Sequence, residues 1–479
     1  MGLSTPSESV IKGRFNYLIG AIIMNICVIS VRAVNNLSIY YLSFYARVNN
    51  MIIKSGVSFF MGPIYSFASL LTVPLSGKLD KIIGLRALYL IAIAFLSGVF
   101  ALFYFTEKLW LFLIGIGVMG GAVGLFSIGM KYGCYFFPGK EGLITGIERT
   151  FSMSFIYFWY FIGEWIINPK PDPLQSDKLY SLKVAERTHL YTLTFGFSIV
   201  VGMVIFYGLT LTLKFRNMED NYKRIKAKMA KEQEKDKEEA PNIKDELTLE
   251  EKSIKYKKEI KQIFLSWDFW KLFVLCVFIV FIPSLITCTF RVFGPENGIE
   301  LNTVVWHWTI SGVVGSFINP LYGYLYDKIG FRPLFMLEGV GLGAAGALYV
   351  VSLINNNGVI FAISLYFNNI WVGVFNSCMF PHCAKIFGMD YVMDLFGVLG
   401  LTIGLLGFAA SGTQYLISYV IVPKTKLFYY IAFGVGIVFE GFVVLMASVE
   451  QSKKFEFARE EDIMQGLVDS RLFKPTAEE

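Results

Sequence analysis

The chain has 479 residues, 55% of them hydrophobic and only 17% charged, with a mean hydropathy of +0.55; a soluble chain carries about a quarter charged residues. The apolar residues fall in repeated blocks of roughly 20 to 28, each long enough to cross a ~30 Å hydrocarbon layer at ~1.5 Å per residue, which excludes a soluble enzyme and points to a polytopic membrane protein. The net charge of +6 lies largely in one loop and at segment ends, where topology explains it, so neither a nucleic-acid partner nor an acidic substrate follows from it.

The first 14 residues are polar and lack the apolar core and cleavage site of a signal peptide, so the first span is expected to be retained. Twelve spanning helices are predicted, spans 1 to 12, over 15–46, 55–79, 85–105, 109–137, 143–167, 188–213, 267–290, 303–326, 333–354, 358–385, 393–421 and 427–449. A β-barrel would need ~10-residue alternating segments, which are missing. The expected fold is an all-α membrane protein of two six-helix bundles. Its parts are an N-terminal tail (1–14), a first bundle (15–213), a charged linker (214–266), a second bundle (267–449) and a C-terminal tail (450–479). The linker is dense in Lys and Glu from Lys223 to Glu239 and is broken at Ala240-Pro241. It and the tail around Phe455-Glu456-Phe457 read as exposed helix or disorder, not as a catalytic domain.

Basic residues set the orientation. Lys12 and Arg14 precede span 1; Lys78, Lys81 and Arg86 lie between spans 2 and 3; Lys328 and Arg332 lie between spans 8 and 9; Lys453, Lys454 and Arg459 follow span 12. The positive-inside rule then places both termini and the linker in the cytoplasm, although Lys170, Lys178, Lys183 and Arg187 fall on the other side.

The two halves resemble each other. Pro74-Leu75-Ser76-Gly77-Lys78-Leu79-Asp80-Lys81-Ile82-Ile83-Gly84-Leu85-Arg86 aligns with Pro320-Leu321-Tyr322-Gly323-Tyr324-Leu325-Tyr326-Asp327-Lys328-Ile329-Gly330-Phe331-Arg332, allowing one residue to shift around the Asp. Such a repeat implies two six-helix units in parallel orientation.

Other chemistry is unsupported. Cys27, Cys134, Cys276, Cys288, Cys378 and Cys383 lie inside apolar segments and read as packing residues. His189, His307 and His382 have no zinc-like spacing, and there is no phosphate loop, HExxH or GxSxG motif. No cofactor is expected, and an ATP-driven pump or membrane hydrolase is disfavoured.

The segment from Gly323 to Arg332 has the form G-x-x-x-D-[RK]-x-G-x-[RK] and resembles the hallmark loop of the major facilitator superfamily, while the first copy departs from it at the shifted Asp80. Gly115 to Gly124, then Phe136 to Ile147, and in the second half Ile386-Phe387-Gly388 with Gly397 and Gly400, resemble the oxalate/formate antiporter and monocarboxylate transporter branch. The resemblance implies a symporter or antiporter whose halves rock about a midplane site. It also implies a gating set of Gly77, Asp80, Lys81, Arg86, Gly323, Asp327, Lys328 and Arg332, with Glu148 and Arg149 close by. Carriers of that branch hold the substrate carboxylate with a cation in helix 8 or 11. Here span 8 offers His307, and span 11 has neither Arg nor Lys.

Ionisable groups within a bilayer are costly, so each is a functional candidate unless it reaches a helix end. Arg32 is the clearest: with Asn25, Asn36 and Ser43 it forms a polar stripe at ~100° per residue on span 1. The other substrate-binding candidates are Lys131 in span 4, Thr287 in span 7, His307 in span 8, and Asn369 and Asn376 in span 10. The expected function is secondary transport of a small organic solute, a monocarboxylate-like anion first, with protons as a candidate coupling ion and the lipid bilayer as the medium. The alternatives are a neutral solute (amino acid, sugar or nucleoside) and a transporter-like sensor or assembly subunit that transports nothing.

Overall fold

The computed structural model describes residues 18–19, 22, 26–51, 55–137, 139–170, 179–210, 249–296, 298–416 and 427–449. Every regular element among them is helical. Span 1 ends in α1 (Ala33–Asn36) and α2 (Ser38–Val48). After a 3-10 turn at Ser55–Phe60, α3 (Met61–Phe105) carries spans 2 and 3. Span 4 is α4 (Leu109–Phe126) with α5 (Ile128–Phe136), and span 5 is α6 (Glu141–Ile167). Span 6 is α7 (Leu182–Ala185) with α8 (Arg187–Thr210).

Within the predicted linker lies α9 (Leu249–Leu265), a helix rich in Lys and Glu; residues 214–248 fall outside the described residues. Spans 7 to 12 follow as α10 (Trp267–Glu296), α11 (Leu301–Ile329), α12 (Phe331–Asn355), α13 (Gly358–Phe387), α14 (Val392–Leu416) and α15 (Leu427–Val449).

The sequence repeat reappears in the backbone. Gly84 (φ 78) breaks α3 between spans 2 and 3, and Gly330 (φ 82) separates α11 from α12 at the matching place. A side chain there would be strained, so both copies of the G-x-R turn need glycine. The next turns of each half match as well, with Gly139 (φ 74) before α6 and Gly388 (φ 85) after α13. These four turns share one end of the bundle, called here the motif end.

Among the described residues, eight helices are long and apolar enough to cross a membrane by length and composition: Ala87–Phe105, Leu109–Lys131, Leu182–Ile205, Trp267–Thr287, Phe331–Asn355, Gly358–Phe387, Val392–Gly412 and Tyr430–Ser448. Spans 2, 5 and 8 do not reach that level, and the reason is where they sit; of span 1 the described residues include the shorter apolar helix Ile26–Asn36. Span 5, with Glu141, Glu148, Arg149 and Glu164, packs along span 8; span 2 packs along span 11. Helices that face protein on their polar side do not need a uniformly apolar surface.

Glycine makes both seams between the halves close. Along α14, Gly397, Gly400, Gly404 and Gly407 lie in turn against Pro74, Leu70, Phe67 and Pro63 of α3. Along α6, Gly142 meets Gly323, Gly146 meets the Asn319 carbonyl, and the Thr150 hydroxyl donates to the Ser316 carbonyl at 3.0 Å. Further along, Tyr157 fills the space over Gly312, and the rings of Phe161 and Trp306 lie 4.5 Å apart. Small residues at i, i+3 and i+4 permit this backbone approach in a membrane, where packing and hydrogen bonding replace the hydrophobic drive.

Candidate functional site: a charged cavity between the halves

A cavity of about 210 Å³ lies between the seams and draws its wall from both halves. The first half contributes Arg32, Ser66 and Ser69 of α3, Ser127 at the α4–α5 junction, and Glu148, Arg149 and Ser152 of α6. The second half contributes Val280, Phe375, Asn376, Phe396 and Ile403. A largely apolar wall with a few placed polar groups is the usual make-up of a small-molecule site.

Two of the contributing spans are irregular where they reach it. At Arg32 the ladder tightens, with Val31 N–H on Val28 O (3.4 Å) and Arg32 N–H on Ile29 O (3.0 Å). At Ser127 the same i−3 pattern recurs, with Ser127 N–H on Gly124 O and Met130 N–H on Ser127 O, each 3.1 Å. Short 3-10 turns inside long helices mark functional breaks, and at membrane depth they are tolerated where they line a cavity.

The charge is uneven. The Arg32 guanidinium carbon stands 5.4 Å from the centroid of the buried Tyr65 ring, a cation–π placement. Arg149 donates from Nη2 to the Met130 sulfur at 3.0 Å, a weak acceptor, and its Nε is buried without an acceptor. Arg149 lies within electrostatic range of both Arg32 and Glu148. Glu148 is buried, with Oε1 against Gly133 and no donor on it. Among the described residues neither arginine makes an ion pair.

At the motif end each seam is fastened by a carboxylate, but the two fastenings differ. Asp327 accepts the N–H groups of Gly142 on Oδ1 and Leu143 on Oδ2, both at 2.9 Å, and so caps the start of α6 from the other half. On the α3–α14 seam the carboxylate is Asp394, in the first turn of α14. Lys78 reaches its Oδ1 at 4.0 Å, and the Tyr256 hydroxyl of α9 donates to its Oδ2. Beside it the Tyr391 hydroxyl donates to Glu259, and the rings of Tyr256 and Tyr391 stack at 5.0 Å. Burial first, and then Asp394, push the Tyr256 phenol above its usual range, so it remains a donor at neutral pH.

The sequence model of the Major Facilitator Superfamily matches residues 24–412, more than half of the chain. The chain belongs to that superfamily. Its members are membrane transporters, not enzymes. The proton:xylose symporter XylE bound to 6-bromo-6-deoxy-D-glucose superposes with a TM-score of 0.62 at 13% identity, covering 95% of this chain and 99% of that one. The human organic anion transporter MFSD10 (TETRAN) superposes with a TM-score of 0.56 at 11% identity, covering 92% and 99%. At such identities these two show the fold alone. No curated protein matches the chain in sequence.

Of the sequence candidates in this superfamily member, Arg32 and Asn376 line the cavity, and Glu148 and Arg149 join them there. Asn25 lies outside the described residues. Asn36 is half-buried one turn beyond Arg32 and does not reach the wall. Lys131 is buried on α5 and does not line the cavity. Thr287 is exposed and donates to the Pro283 carbonyl of its own helix. His307 lies edge-on to the Tyr366 ring at 6.3 Å, and Asn369 donates from Nδ2 to Ser311 Oγ at 2.7 Å; neither lines the cavity.

Among the gate candidates, a Cβ on Gly77 would stand 2.9 Å from Met393 Cβ, and one on Gly323 would collide with the Gly142 carbonyl. Asp80 is half-buried on α3, while the side chains of Lys81 and Arg86 lie outside the description. Lys328 sits over the Tyr324 ring at 4.6 Å, and Arg332 is exposed. Sequence reasoning missed Ser152 on α6, and also Ser66, Ser69 and Ser127. The signal of the last three was a serine pair at i, i+3 in an apolar span and a serine within a glycine-rich one.

Proposed function

We propose that this transporter moves a small organic anion of the monocarboxylate kind by alternating access, with the motif end facing the cytoplasm as the basic loops suggest. The observation that supports it is the charge of the cavity: two guanidiniums, Arg32 and Arg149, against one carboxylate, Glu148. The wall therefore holds more cation than carboxylate, which fits an anion better than a neutral molecule. A guanidinium binds a carboxylate through two parallel N–H bonds, and the desolvated wall strengthens them. The volume of about 210 Å³ suits a solute of few heavy atoms. The likeness of the 136–147 and 386–400 segments to the oxalate/formate and monocarboxylate branch supports the same reading. In this reading Asp327, Asp394 and the glycine seams hold the motif end shut and part when the halves rock.

The test is uptake into proteoliposomes holding the full chain, using labelled monocarboxylates, dicarboxylates, a sugar and neutral amino acids. Uptake confined to monocarboxylates, and lost in Arg32→Gln, is the expected result. Uptake of neutral solutes with acids ignored would overturn it, and no flux of any solute would favour a sensor or assembly subunit.

A further inference from the structure

Outside the cavity, the second half buries two carboxylates that anion binding does not use. Glu338 of α12 is 0% exposed and Glu440 of α15 is 1% exposed. They lie on helices in close contact, since a Cβ on Gly339 would stand 3.0 Å from the Glu440 carbonyl and one on Gly343 would stand 3.6 Å from Glu440 Cβ. The two carboxyl groups are within electrostatic range of each other. Glu338 Oε1 accepts the backbone N–H of Phe375 at 3.0 Å; Glu338 Oε2 and both oxygens of Glu440 are buried with no partner. Among the described residues, the titratable groups within electrostatic range of Glu338 are Glu440 from α15, Tyr322 from α11, Cys378 from α13 and Cys276 from α10. None of these is a cation.

We propose that Glu338 and Glu440 form a proton-binding site, and that its loading is coupled to the cavity through the Phe375 N–H. Two buried carboxylates on packed helices at membrane depth, without a cation and with a single backbone donor between them, are not sustainable as two charges, so in this conformer the pair carries a proton. A metal ion does not fit, because the one partner present is an N–H donor aimed at Oε1, where an ion would need another oxygen ligand. The link to the solute site is short. Phe375 and Asn376 form part of the cavity wall, and Glu338 holds the backbone N–H of the first of them. An ionised Glu338 makes that bond charge-assisted and a protonated one makes it neutral, so proton release tightens the grip on α13 just where α13 meets the solute. In the conformer that opens the α12–α15 contact to water, the proton leaves and the wall shifts with it. The proton-binding part stands on these contacts alone, while the coupling part rests on the transport reading above.

Infrared difference spectra of the full chain in lipid bilayers, wild type against Glu338→Gln and Glu440→Gln, read the protonated carboxyl directly. Loss of protonated-carboxyl signal at neutral pH in at least one variant is expected, and an unchanged signal in both overturns the site. The second arm is labelled-acid uptake against external pH. Wild-type uptake should climb as pH falls, and that dependence should be lost in Glu338→Gln. Wild-type uptake indifferent to pH, or a dependence retained in Glu338→Gln, overturns the coupling. If the wild type moves no acid, the anion reading fails and the infrared arm still decides the proton site.

Discussion

Asp327 Oδ1 accepts the N–H of Gly142 at 2.9 Å, so a carboxylate of the second half caps a helix of the first. With Leu143 N–H on its other oxygen, Asp327 acts as an N-cap supplied from across the seam, and it is lost whenever the halves separate there. Asp327→Asn keeps one acceptor and loses the charge. It should weaken the closed motif end by about 1 kcal/mol, roughly fivefold in population. Cysteine accessibility at the motif end should rise while membrane insertion is unchanged; accessibility equal to wild type would refute the capping role.

Gly323→Val should act on the same seam by a different route. The added atoms would meet the Gly142 carbonyl and the Leu143 nitrogen, which are backbone and cannot rotate away. We expect a cost of about 1–3 kcal/mol in thermal stability and loss of solute exchange. Gly434→Ala, where nothing lies within 4 Å, should do neither and is the control.

Arg32 distinguishes charge from geometry. Arg32→Lys keeps the charge but loses the planar fork, and should raise KM for the anion about tenfold or more, in line with the ~1.5–3 kcal/mol of a charged hydrogen bond. Arg32→Gln should abolish uptake in folded, inserted protein. An unchanged KM in Arg32→Lys would remove the guanidinium from the site.

At the α3–α14 seam the hydroxyl should outweigh the ion pair. Lys78 is 64% exposed and 4.0 Å from Asp394, so Lys78→Ala should change thermal stability within about 0.5 kcal/mol. Tyr256→Phe removes a donor from a shielded carboxylate and should cost about 1 kcal/mol. The reverse order in thermal unfolding would contradict this assignment.

Asn369 should be structural. Replacing it by Leu removes one hydrogen bond from the buried Ser311, which keeps its bond to the Trp308 carbonyl, at about 1 kcal/mol, and leaves KM unaltered. A raised KM in stable protein would return Asn369 to the solute site.

The sequence by itself determined the membrane class, because hydropathy over a span length is a local property. It also determined the paired architecture, because the repeat from Pro74 to Arg86 and from Pro320 to Arg332 includes glycines whose left-handed turns need no other residue to explain them. Arg32 was legible for the same reason: a guanidinium in an apolar span is conspicuous wherever its neighbours lie. Only the tertiary structure decided which polar groups share a wall. Asn369 and Asn376 look alike in sequence, yet one is consumed by Ser311 and the other faces the cavity, since a helix turns ~100° per residue and the partner helix sets what each direction meets. Glu148 and Arg149 had a place near the gate by position, and the packing of α6 on α11 also brings them into the cavity wall. Nothing local in the sequence marks Asp394, in the first turn of α14, as the partner of Lys78 and Tyr256. Those contacts join residues more than a hundred positions apart, and contacts of that range arise only when the halves close on each other.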